Sequence, residues 1–212
     1  MDNINHETNE NASEGLVDKI YASVDYTLGG GDEIEYLYAN SGSTGRILSG
    51  NEFGNRIYGS NGGADVLMGG GGIDNLYGQA GNDRMVGGTG ADNLYGGLGN
   101  DVFVLQKLAA DRDVLRDFLS ADDQIEISAS LFGAGLVAGQ VLSGLQFISN
   151  SKGAAANGGD TTTRFVFNYS NGALFFDTNG SASGGNVQIA TVLPLAEVPS
   201  LTVSAADFTF VI

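Results

Sequence analysis

Between residues 50 and 104 a single apolar side chain returns every nine or ten positions, as Ile57, Leu67, Leu76, Met85, Leu94 and Phe103, with polar residues and glycines between. One inward residue at the centre of each three-residue run, and six turn-forming residues after it, predicts short strands at regular intervals. Upstream, residues 1–48 hold short apolar runs, Ile20 to Val24 and Ile34 to Tyr38, separated by glycine turns. These predict strands that cap the first coil of the array. Downstream, residues 105–212 carry alternating runs at 164–169, 173–176, 187–193 and 208–212, which predict a β-rich, sandwich-like extension. Leu105 to Ala110 predicts a short helical turn, and the Gly, Ala, Asn and Thr of 149–163 a mobile loop. The expected organisation is therefore 1–48, 49–104 and 105–212.

The central segment is an internal repeat. Four consecutive nine-residue units match GGxGxDxUx or differ from it at one glycine: GGGGIDNLY from Gly69, GQAGNDRMV from Gly78, GGTGADNLY from Gly87 and GGLGNDVFV from Gly96. Two weaker units precede them. GSNGGADVLM from Gly59 has one extra turn residue, and GNEFGNRIY from Gly50 places Asn55 where the others have Asp. Turn and strand alternate so that two units complete one coil, and the strands stack as two parallel sheets. The fold class expected is all-β, a right-handed parallel β-roll with the β-rich extension behind it.

Stacking at about 4.8 Å brings the Asp of one unit over the Asp two units later. Asp74 then pairs with Asp92 on one edge and Asp83 with Asp101 on the other; Asp65 with Asp83 and Asn55 with Asp74 extend each edge by a weaker site. Two bare carboxylates 4 Å apart repel by roughly 4 kcal/mol at an effective dielectric near 20, so the roll is not expected to fold empty. Calcium, which takes six to eight oxygens, turns that repulsion into cohesion. Magnesium fits less well because it demands a tighter octahedron. The carboxylates supply part of the shell. Carbonyls at the first and third turn positions, Gly69, Gly71, Gly78, Ala80, Gly87, Thr89, Gly96 and Leu98, are the candidates for the rest.

The outward positions differ between the two sheets. One shows Arg56, Asn75 and Asn93 beside a ladder of Tyr58, Tyr77 and Tyr95; the other shows Val66, Met68, Val86, Val102 and Val104, an apolar face expected to be covered by the rest of the chain or by a partner. Arg56 and the tyrosines are candidate ligands for a flat sugar. Such a ladder is more often simple cross-strand stacking.

Composition narrows the function. The chain has 212 residues and a formal charge of −16, which argues against nucleic acid and anionic membrane as partners and leaves divalent cations as the natural counter-charge. There are 34 glycines against two prolines, the balance of repeated tight turns, and no cysteine, so a metal replaces disulfides as the staple. Met1 to Gly15 has neither a basic nor an apolar region of a signal peptide, and no run is long enough to span a membrane, so no membrane insertion is expected. His6, the only histidine, lies outside any HExxH, and GxSxG and GK[ST] are both missing, so the chain is not expected to be an enzyme. The aspartates' nine-residue period is explained by calcium and not by paired acid/base carboxylates.

These residues resemble the RTX (repeats-in-toxin) proteins, secreted bacterial proteins with calcium-binding nonapeptide rolls. The stretches ENASEGLVDKIYASVDYTL from Glu10 and EIEYL from Glu33 are similar to what precedes such repeats, and Met1 falls inside that pattern, which implies the C-terminal end of something longer. DVLRDFLSADDQIEIS from Asp113 is similar to the linker after the roll in serralysin-type members. The resemblance makes Asp113, Asp117 and Asp123 candidate calcium ligands; a solvated acidic loop fits as well. RFVFNYSNGALFFDTNGSASGGNVQI from Arg164 resembles the terminal β-rich domain of that group, where DxDG often stands in place of Asp177, Thr178, Asn179 and Gly180; the Asn favours a β-turn there over a metal. The last residues, DFTFVI from Asp207, look like the uncleaved signal of type I secretion, or an ordinary last strand. The resemblance implies a secreted, extracellular module that folds on calcium, with a type I secretion transporter as partner. The competing implication is a module that binds an extracellular polysaccharide or a cell surface.

Overall fold

The computed structural model describes residues 4–7, 17–40, 42, 44–106, 112–128, 147–151, 164–178, 186–194 and 203–211. The expectations for a helical turn up to Ala110, for the 149–163 loop beyond Ser151 and for Asn179 and Gly180 lie outside those residues. The chain forms two compact units, Met1–Val102 and Phe103–Ile212.

The first unit is a parallel β-roll. One sheet stacks β2 (Lys19–Ala22), β4 (Tyr36–Ala39), β6 (Arg56–Tyr58), β8 (Asn75–Tyr77) and β10 (Asn93–Tyr95); the other stacks β3 (Tyr26–Thr27), β5 (Ile47–Ser49), β7 (Val66–Gly70) and β9 (Arg84–Gly88). The pairings among them are parallel and in register, so Ile20, Leu37, Ile57, Leu76 and Leu94 form one inward ladder and Leu48, Leu67 and Met85 the other. All eight are buried. The segment expected to cap the roll also lengthens it, since β2 to β5 stack on it as further coils, and β1 (Ile4–Glu7) closes the first edge by pairing antiparallel with β2. Coil length explains why this is hard to see: it is 17 residues from Asp18 to Glu35, 20 from Tyr36 to Arg56 and 19 from Asn55 to Asp74, and settles at 18 only within the glycine repeats.

Val66, Met68 and Val86 of the second sheet are half-buried, and Arg84 stands among them in register with Val66. That face is thus less apolar than its valines suggest. β11 (Val102–Leu105) begins at the last residue of the first unit.

The second unit is a two-sheet arrangement. β12 (Asp113–Phe118) runs parallel to β17 (Asn186–Pro194), which continues antiparallel into β16 (Ala173–Asp177) and β15 (Phe165–Asn168), with β14 (Phe147–Asn150) parallel at the edge. Against this sheet lies the parallel pair of β13 (Gln124–Ser128) and β18 (Phe208–Val211). Phe165 from one layer meets Phe208 and Phe210 from the other at centroid distances of 5.6 and 5.9 Å, and all three are buried. A sandwich-like extension is what the alternating runs require.

Candidate metal centre

Each repeat places its Asp immediately before a strand, where the chain leaves the turn, so the strand register also sets the carboxylate register. The Asp65 N–H donates to Asp83 Oδ1 at 2.8 Å and the Asp83 N–H to Asp101 Oδ1 at 2.8 Å. On the opposite edge the Asn55 N–H donates to Asp74 Oδ1 at 2.7 Å and the Asp74 N–H to Asp92 Oδ1 at 2.9 Å. Two carboxylate ladders therefore run along the roll, with the pairing that the 18-residue spacing predicts. Asp65, Asp74, Asp83, Asp92 and Asp101 are all at most 1% exposed, a depth at which an ionised carboxylate needs compensation.

In Asp74, Asp83, Asp92 and Asp101 one carboxylate oxygen accepts an N–H of the preceding coil and so holds it. Asp83 Oδ2 is buried with no hydrogen-bond donor, and the Oδ2 atoms of Asp74, Asp92 and Asp101 are likewise buried and accept no hydrogen bond. Burial above all pushes the Asp83 carboxyl up to about 7; the Asp65 N–H opposes this, and the Asp101 and Asp65 carboxylates reinforce it. A cation at the rim would reverse that balance.

The first glycine of each unit makes room for these oxygens. A side chain at Gly69 would run into both Asp74 Oδ2 and the Gly87 carbonyl, and one at Gly78 into Asp83 Oδ2 and the Gly96 carbonyl. Carboxylate and carbonyl oxygens from successive coils thus converge in a space that glycine alone leaves open. Glycines at the fourth position serve the turn itself: Gly72, Gly81, Gly90 and Gly99 have φ of +88°, +149°, +123° and +132°.

Among the described residues no three acidic or histidine side chains gather at one point. A rim offers carboxylates one coil apart, so an ion there must complete its shell with main-chain carbonyls. The donors are all oxygen, which suits a hard cation and not zinc. Of the third-position candidates, the Leu98 carbonyl already accepts the Gly81 N–H at 2.9 Å, and Ala80 is bridged to Asn61 and Leu98. The Gly71 N–H donates to Asn51 O, and the Thr89 N–H to Gly70 O.

The two weaker positions are built differently. Asp65 Oδ1 accepts the Arg46 N–H and its Oδ2 accepts both the N–H and the hydroxyl of Ser60. Asn55 Oδ1 accepts the Asn51 N–H, and its Nδ2 donates to Ile34 O. Neither Arg46, Ser60 nor Asn51 stands out in the repeat pattern. Aligning the residue that precedes each strand would have found Arg46. Asp113 is buried and Asp117 half-buried on β12; Asp123 closes the turn before β13 by accepting the Leu119 N–H at 2.7 Å.

The tyrosine ladder is longer than the repeats. Tyr21, Tyr38, Tyr58, Tyr77 and Tyr95 stack with successive centroid distances of 5.0, 4.7, 4.5 and 4.7 Å and interplanar angles of 14° or less. Burial, with Tyr77, Tyr38 and Tyr36 alongside, pushes the Tyr58 phenol up to about 12 against the pull of Arg56. Within the stack the rings turn their faces to one another and present edges outward. Arg56 lies over the Tyr36 ring, 5.3 Å from its centroid. A sugar stacking on Tyr58 or Tyr77 has no free face to use.

A family model for the RTX calcium-binding nonapeptide repeat matches four copies, over residues 47–76, 60–94 and 77–105. Residues 47–105 are RTX calcium-binding repeats. The RTX match starts at β5 and ends with β11, so it includes both carboxylate rims and omits the first coils of the roll. No curated protein matches the chain. Among solved structures, the chain is similar to the solution structure of a subunit of the mannuronan C5-epimerase from Azotobacter vinelandii, at 24% identity over 74% of this chain and 78% of that one, with a TM-score of 0.46. No helix among the described residues is long and apolar enough to cross a membrane.

Proposed function

We propose that the chain is a calcium-triggered folding module of a larger protein exported by a type I transporter, itself without catalytic activity. The observation that carries this reading is the buried Asp83 carboxylate, one oxygen spent on the neighbouring coil and the other without a donor, in a repeat whose family binds calcium. The residues that would hold the ions are Asp74 and Asp92 on one rim and Asp83 and Asp101 on the other, with carbonyls such as those of Gly87 and Gly96. Bound calcium neutralises these carboxylates and ties successive coils together.

Where calcium is scarce, as in a cytosol, the repulsion along the rims keeps the repeats open and able to pass a transporter. Outside, calcium at about 10⁻³ M reaches the roughly 10⁻⁴–10⁻³ M affinities of extracellular modules, and the roll closes. The terminal segment from Asp207 is the proposed export signal, which would have to be read before it folds. Far-ultraviolet circular dichroism of the full chain, titrated with calcium from a chelated start, tests the reading. A β-signal that grows with calcium is expected; an identical spectrum with chelator and with calcium defeats it.

A further inference from the structure

The rims do not carry the same groups along their whole length. On the rim of Asp65, Asp83 and Asp101, the register Ile47 to Val66 to Arg84 puts Arg46 in the place that a carboxylate holds in each later coil. Its N–H makes the same bond, to Asp65 Oδ1, that the Asp65 N–H makes to Asp83 Oδ1. Its guanidinium adds a positive charge where the repeat would have added a negative one, and Ser60 saturates the remaining oxygen of Asp65. On the other rim the equivalent position is Asn55, whose amide is satisfied by Asn51 and Ile34. Asn51 is itself tied down, donating to the Gly29 and Asp32 carbonyls and accepting the Phe53 N–H. The contrast is with Asp83, a fully buried carboxylate whose Oδ2 has no donor; earlier on the Asn55 rim the Glu35 carboxylate accepts the Asp18 N–H, although Asp18 Oδ1 and Arg46 Nε are themselves buried without a hydrogen bond.

We infer that the calcium rows stop at this boundary: the coils before Gly69 are closed by Arg46, Ser60, Asn51 and Asn55, fold without calcium, and serve as the template on which the ion-dependent coils stack. The inward ladder of Ile20, Leu37 and Ile57 opposite Leu48 and Leu67 gives those coils a core of their own. In a stacked repeat each new coil needs a formed neighbour, so a metal-free start spares the calcium-bound coils the costly first step. This inference rests on the calcium-dependent folding proposed above.

Amide hydrogen exchange of the full chain, with chelator and with calcium, separates the two. With chelator, the amides of Leu37, Leu48 and Ile57 are expected to exchange about a hundredfold or more slowly than in an unfolded chain, while those of Met85 and Leu94 exchange freely; calcium protects both groups. If Leu37 and Leu48 lose protection together with Met85 and Leu94, the template is overturned and calcium-triggered folding stands. If no amide of the roll responds to calcium, both are overturned. Arg46→Asp restores a carboxylate to the rim and is expected to make the protection of Leu48 depend on calcium; Asn55→Asp does the same for Ile57 on the opposite rim, should the first variant fail to fold. Protection with chelator that neither substitution reduces overturns the assignment of these residues.

Discussion

Gln79 has φ of 81°, in the left-handed region, at the turn position where other coils place Gly70, Gly88 and Gly97. An L side chain there costs about 1–2 kcal/mol, and glycine would return part of that gain through its freedom in the unfolded chain. Gln79→Gly is expected to stabilise the calcium-loaded roll by about 0.5–1 kcal/mol in urea titration; an unchanged or lower midpoint would show that the Gln79 side chain makes a contact outweighing the strain. Asp83 gives a second outcome at this scale. Its carboxyl titrates near 7 in the metal-free roll against about 4 in an open chain, so between these values the folded, metal-free form holds a proton that the open chain has lost. Protonation therefore favours the empty roll at low pH, and its loss adds repulsion as the pH rises through about 7. Calcium needs the same oxygens bare. Its apparent affinity at this rim is expected to fall as the pH drops below about 7, by at most about tenfold per pH unit for one group, with protons released on binding. Calorimetry in two buffers of different ionisation enthalpy measures both; affinity independent of pH between 5 and 7 would remove Asp83 from the site.

Strands of the roll are only three to five residues long through the repeats, so each depends on its neighbours for stability. The tyrosine ladder shows how they help one another: stacking across coils adds about 0.5–1.5 kcal/mol per ring pair beyond burial, and this structural use occupies the ring faces. At the other end of the chain, β18 is an integral strand. Phe208 and Phe210 are buried, β13 is its parallel partner, and Asp207 is fixed by Ser120 and by the Ser204 N–H. Deleting 207–212 is expected to lower the stability of the second unit by more than about 3 kcal/mol, since a buried Phe alone is worth that much on truncation. Limited proteolysis within 113–194 reads the effect. Unchanged resistance would mean that the strand is dispensable and that an export defect in the truncation belongs to the proposed signal alone.

On the scale of the roll, the opposing terms are a thin apolar core and two buried acidic rims. The core has one inward side chain per strand, and the rims concentrate negative charge where water cannot screen it. The family match omits β2 to β4, where the Glu35 carboxylate accepts the Asp18 N–H and the Asp25 carboxylate the Ile47 N–H, and within the match Asn51 and Asn55 close the next coil. A molecule with one stretch closed by its own hydrogen bonds and another closed by ions should melt in two steps when calcium is limiting and in one when it is abundant.

The nine-residue period settled much in advance. An Asp six positions into a glycine turn, and an apolar residue two positions later, leave one backbone arrangement that buries the latter and stacks the former, so Asp74 over Asp92, Asp83 over Asp101 and the inward residues from Ile57 to Leu94 followed from spacing. Three features did not follow. Coils of 17, 20 and 19 residues carry no period, so the membership of β2 to β5 emerged only from strand pairing. Arg46 and Ser60 are unremarkable in the linear chain, and their effect on Asp65 comes from contacts made when coils stack. The extension of the tyrosine stack to Tyr38 and Tyr21, which lie outside the repeats and close the remaining face of Tyr58, had no signal in the period. Periodic pattern fixes what every coil shares; the contacts between unlike coils fix where the pattern stops.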